Sequence, residues 1–159
     1  MNKFIYLMLL PVVLGKHMTI GRGLEIGSSE SYTFHTTPAT FEEAKGICRQ
    51  AGGSLAVVTS QEAEDEMLKI WRRSGPVENP TNGLRSQAFI GIHSLNVEGH
   101  WETIDGESPK YINWSQDWAG GRQPSSPSVQ KCGSLLKQGK MDDVECFFKL
   151  GFFCTMNED

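Results

Sequence analysis

The chain has no basic stripe. Its 15 lysines and arginines are outnumbered by 19 acids, giving a formal charge of −4, and only Arg72-Arg73 stand side by side, which argues against nucleic acid as a partner. Those two arginines read as the close of a helix, where they complement its negative C-terminal end. Catalytic signatures are also missing. His17, His35, His93 and His100 show no H-E-x-x-H spacing, and there is neither a G-x-S-x-G elbow nor a phosphate-cradling glycine loop; the chain is not expected to be an enzyme. No heptad or Gly-X-Y segment is present to enforce an oligomer. Long apolar runs are absent apart from FIYLMLLPVVLG near the start. That run is too short to span a bilayer and is broken by Pro11, so no membrane span is expected, and it reads as a signal peptide over 1–15, cleaved after Gly15. Residues 16–31, rich in glycine and serine, read as a flexible lead-in. The expected location is therefore secreted and extracellular.

Cysteine is scarce, with four in 159 residues. In an oxidising compartment four cysteines form two disulfides, with three pairings open. The stretch from Gly120 to Cys154 holds three of them. Two apolar runs there, Cys132 to Leu136 and Phe147 to Cys154, flank a polar turn at Gln138-Gly139 and read as a hairpin. A hairpin brings Cys132 to Cys146 and leaves Cys48 for Cys154. The second link closes nearly the whole domain, which is typically worth ~2–4 kcal/mol. No cysteine is left over, so no covalent dimer is expected. Asp142 and Asp143, just ahead of Cys146, then lie beside the Gln123-Pro124 turn. Oxygen-bearing side chains converging from two segments suit a hard cation or a polyhydroxyl ligand.

Upstream, Tyr32 to His35 alternates as a first strand. Thr40 and Glu43 form a capping box for a helix whose face is Phe41, Ala44, Ile47, Cys48 and Ala51, ended by Gly52-Gly53. Leu55 to Val58 reads as a short buried strand, and Thr59 with Glu62 repeats the box for a second helix with the stripe Ala63, Met67, Ile70 and Trp71. The acids Glu62, Glu64, Asp65 and Glu66 are read as its solvated face, and Gly75-Pro76 as its stop. Ser74 to Gln87 is a surface loop. Ala88 to Ile92 and Trp101 to Ile104 are strands. Asp105 to Gln130 carries little regular signal, but its aromatics predict a packed loop, not a disordered one.

This order of elements, with AFIGI, a long Gln-Pro loop and Cys132…MDDVEC…FFC, resembles the C-type lectin-like domain over roughly Tyr32 to Cys154. FHTTPATFEEAKGIC and AFIGIHSLNVEGHWETIDGE are especially similar to secreted lectins of insect haemolymph. The resemblance implies an α+β fold over 32–155 with a short tail, 156–159. Two helices, two small antiparallel sheets, a long ligand-binding loop and the same two disulfides are implied, as is a cis peptide before Pro124. It further implies calcium ligands at Gln123, Gln130, Asp142 and Asp143, and sugar contacts at those residues and Ser125. Ser125 and Gln130 depart from the family pattern by offering neutral groups where stronger donors are expected. Calcium affinity follows ligand charge, so a weakened calcium site, or its loss, is implied.

The implied function is carbohydrate binding on microbial or cell surfaces in innate immune recognition. The alternative is a calcium-independent module whose long loop docks a protein partner. Trp114 and Trp118 are candidates for a sugar platform or for packing. Asn113-Trp114-Ser115 is a glycosylation sequon, whereas proline disqualifies Asn79-Pro80-Thr81.

Overall fold

The computed structural model describes residues 31–156. The expected leader, nearly all of the lead-in and the end of the tail lie outside the described residues. Strand β1 (Ser31–Ala39) precedes helix α1 (Phe41–Gln50), the short β2 (Gly53–Leu55) and helix α2 (Gln61–Arg73); a single 3-10 turn (Thr81–Gly83) leads into β3 (Gln87–His93). Next come β4 (Glu102–Thr103), β5 (Cys132–Leu136), β6 (Met141–Val144) and β7 (Leu150–Met156).

Helix α1 starts where the capping box places it. Thr40 Oγ1 accepts from the Glu43 amide at 3.3 Å and the Thr40 amide donates to Glu43 Oε2 at 2.9 Å, satisfying two donors that a helix start leaves open. Its buried stripe is narrower than expected: Phe41, Ala44 and Cys48 are covered, while Ile47 is 39% exposed. The chain leaves the helix through Gly52 at φ +84°, and a Cβ on Gly53 would meet the Thr155 carbonyl at 2.0 Å. Glycine there lets β2 press directly onto β7. Helix α2 is capped one residue later than expected, by Ser60, whose Oγ accepts from the Ala63 amide at 3.1 Å. Its core face is Ala63, Met67, Leu68 and Trp71, with Ile70 half-buried.

The strands run in the order β1-β7-β3-β5-β6, with β2 on β7 and β4 on β3. Every pairing is antiparallel except β3–β7, which is parallel. The two antiparallel sets thus fuse through that pair into one seven-stranded sheet. One apolar cluster fills the space around α2, with Trp71 1% exposed and packed against Phe34 and Phe153. A second surrounds α1 and includes Phe41, Phe89 and Phe152.

The hairpin differs from its sequence reading. Across the turn, β5 pairs with Met141–Val144, putting Ser134 opposite Asp142 and Gly133 opposite Asp143. Two acids in a row look like loop, but here both sit on a strand buried on both faces. Phe147 and Phe148, taken for the start of the return strand, lie on the turn before β7. The disulfides are Cys132–Cys146 and Cys48–Cys154, with Cα–Cα distances of 5.2 and 5.4 Å.

Candidate functional site

The segment between β4 and β5 is tied down along its length. Ser115 donates its amide to the Met141 carbonyl at 2.8 Å, Met141 donates to the Asn113 carbonyl at 2.7 Å, and Gln123 donates to the Ser115 carbonyl at 2.8 Å. Trp114 packs on Trp101 with ring centroids 4.8 Å apart, so it serves as packing. Glu64 corrects its sequence reading: it is 2% exposed, not part of a solvated face. Its carboxylate accepts from the Lys140 amide at 2.7 Å, Tyr111 Oη at 2.9 Å and Asn113 Nδ2 at 3.2 Å. One buried acid therefore joins α2, the long loop and the β5–β6 turn. Burial, and then the bond to Glu64, push the Tyr111 hydroxyl up to about 12. The Asn113 nitrogen that would carry a glycan is the atom donating to Glu64.

The loop turns at the Gln123–Pro124 bond, which is cis. Asp143, fully buried, reaches up from β6 and accepts the Ser125 amide on Oδ1 at 2.8 Å and the Ser126 amide on Oδ2 at 2.9 Å. Both carboxylate oxygens are thus spent on holding the loop backbone. Ser125 Oγ donates to Gln130 Oε1 at 3.3 Å. Gln123 is 8% exposed; its Nε2 donates to the Trp118 carbonyl at 3.0 Å. That bond fixes the orientation of the amide, and Oε1 is left buried with no hydrogen-bond partner among the described residues. An unsatisfied buried acceptor costs on the order of 1–3 kcal/mol.

Asp142 faces the other way along β6. It is 4% exposed, and Gln87 Nε2 donates to its Oδ2. Burial first, and then the charge of Asp143, push its carboxyl up to about 7; a hydrogen bond from the Trp118 side chain pulls the other way. Gln123, Ser125, Gln130 and Asp142 line one cleft of about 310 Å³, together with Trp118, Gln87, Asn82 and Phe148. Asp143 sits behind that wall. Gln87, Asn82 and Phe148 escaped sequence reasoning because they come from the head of β3, the 3-10 turn and the turn before β7. The usable signal was Gln87, a polar residue opening the otherwise apolar run AFIGI.

The donor set does not fit calcium. Calcium takes six to eight oxygens and binds more tightly as ligand charge rises. Asp143 is fully buried with each oxygen accepting a loop amide, Asp142 accepts from Gln87, and Gln130 Oε1 accepts from Ser125. Among the described residues no group of three or more His, Cys, Asp and Glu side chains converges as a metal site. What the cleft does offer is amide groups, a hydroxyl, one carboxyl and two aromatic side chains. That mixture suits a neutral ligand rich in hydroxyls.

Comparison with known proteins gives the same frame. Residues 37–156 match the lectin C-type domain family. The chain is 34% identical over 126 residues to a hemolymph lipopolysaccharide-binding protein of Periplaneta americana, covering 79% of this chain and 48% of that protein. It is 26% identical over 129 residues to the human C-type mannose receptor 2, covering 80% of this chain and 8% of the receptor. The chain thus spans half or less of the length of these relatives. The carbohydrate-recognition domain of the mouse scavenger receptor C-type lectin superposes with a TM-score of 0.64 at 25% identity, over 80% of this chain and 90% of that one.

Proposed function

This chain belongs to the C-type lectin domain family, and from that premise we propose that it binds carbohydrate on microbial or cell surfaces, as a secreted protein of innate immune recognition. The observation that carries the reading is the cleft itself, where Gln123, Ser125, Gln130 and Asp142 meet Trp118 and Phe148. A ligand ring rich in hydroxyls meets both polar and apolar groups there. Gln130, Ser125, Gln87 and Asn82 supply further hydrogen-bonding groups around the ring, and Trp118 and Phe148 supply apolar contact. The name and identity of the cockroach relative favour the glycan part of bacterial envelope material as the target.

Calcium has no step in this scheme. Asp143 performs the structural task of fixing the cis-proline loop by hydrogen bonding to two amides. The lipid-free polysaccharide of bacterial lipopolysaccharide, titrated into the protein in EDTA and followed by tryptophan fluorescence, tests the reading, since Trp118 lines the cleft. Saturable binding is expected, weakened about tenfold by Gln130→Ala, the worth of one well-placed hydrogen bond. A melting curve of the variant reports whether its loop still folds. No saturable binding, with or without calcium, would overturn the proposal, and binding that requires calcium would overturn its mechanism.

A further inference from the structure

Phe147 is 70% exposed, more so than any other large apolar side chain noted as exposed among the described residues. A lone exposed apolar residue is ordinary, but this one is set apart by its neighbours and its backbone. Its ring meets Phe148 edge to face, with centroids 5.5 Å apart, and Phe148 is part of the cleft wall. The aromatic lining of the cleft therefore continues out over its rim.

The backbone that carries Phe147 is pinned on both sides. Before it, Cys146 is linked to Cys132, and its carbonyl accepts from the Phe41 amide at 2.9 Å. After it, the Lys149 amide donates to Thr81 Oγ1 at 2.8 Å and the Lys149 carbonyl accepts from the Thr81 amide at 2.9 Å. The Phe148 amide closes the turn onto the Glu145 carbonyl at 3.1 Å. A turn pinned in this way fixes the backbone under the ring before any ligand arrives, which lowers the cost of using it.

We propose that the ligand is an oligosaccharide of at least two rings, the first seated in the cleft and the second lying with its C–H face on Phe147. The electron-rich face of an aromatic ring attracts the weakly positive C–H edge of its partner, and the apolar face of a pyranose offers such C–H groups. This inference rests on the carbohydrate reading above and adds the length of the ligand to it.

The test uses Phe147→Ala and Phe147→Tyr, at a position exposed enough that neither should disturb folding. Partially hydrolysed, lipid-free polysaccharide from lipopolysaccharide is sized into single-ring and two- to three-ring fractions, and each is titrated by tryptophan fluorescence. The expected result is that the unaltered protein binds the longer fraction about fivefold more tightly, a typical aromatic contribution. Phe147→Ala should abolish that gain while leaving single-ring binding unchanged, and Phe147→Tyr should keep it. Binding of both fractions without a length gain, or an equal loss of both in Phe147→Ala, overturns this inference alone. Binding of neither fraction overturns the carbohydrate reading and this inference with it.

Discussion

Replacing Asp143 by alanine separates two ways of holding the cis-proline loop. In the structure its carboxylate is fully buried and accepts two backbone amides, at 2.8 and 2.9 Å. Each amide left without an acceptor costs about 1–3 kcal/mol. Against this stand the desolvation of Asp143 itself and its repulsion of Asp142, both relieved by the change, and the access of water to a loop near the surface. The net loss should be about 2–3 kcal/mol. For a domain of this size, 1 kcal/mol moves the melting temperature by roughly 4 °C, so a fall of about 8–12 °C is expected by calorimetry. Asp143→Asn retains one acceptor and should lose about half as much. The second arm is calcium. A metal held by Asp143 with a dissociation constant of ~1 mM would stabilise the native protein by about 1.4 kcal/mol at ~10 mM calcium. No such stabilisation is expected in the unaltered protein, since the Asp143 carboxylate is fully buried and committed to two loop amides. A calcium-induced rise in melting temperature that Asp143→Ala removes would refute the reasoning and restore a metal site.

Other consequences follow from single groups. Asp142, with its carboxyl pushed up to about 7, holds its proton more tightly when folded than when unfolded. Its contribution to stability is therefore present below the ordinary value of 3.8 and is lost as pH rises through about 7. Asp142→Asn should flatten the decline in urea stability between about pH 4 and 7, by at most about 1.4 kcal/mol per pH unit for one proton. Glu64→Ala strands three donors from two segments and should cost about 2–3 kcal/mol by urea unfolding; a loss below ~0.5 kcal/mol would mean that Glu64 does not anchor the loop. With Asn113 Nδ2 engaged by Glu64, the protein secreted from insect cells should show the mass of the bare polypeptide, and a glycan at Asn113 would contradict that.

Local chemistry made much of this chain legible. The capping box at Thr40 and Glu43, the apolar periodicity of α2 and the buried run AFIGI are short-range patterns, and the elements stand within a few residues of where those patterns put them. Four cysteines restricted the pairing, and the Gln123-Pro124 and Asp142-Asp143 segments pointed to one place. What periodicity could not convey was which strand β5 would choose. MDDV carries two charges and lies outside both apolar runs, yet it is a strand because Asp143 finds two amides and Asp142 finds Gln87 only after the long loop and β3 have packed around them. The same applies to Glu64, whose place on a helix rich in acids says solvent, while three donors from distant segments say core. Spacing along the chain thus determined which residues could serve a sugar or a metal. Only tertiary packing decided that Asp143 would hold the loop, and that Gln123 would be buried in the wall of a cleft shared with Ser125, Gln130 and Asp142.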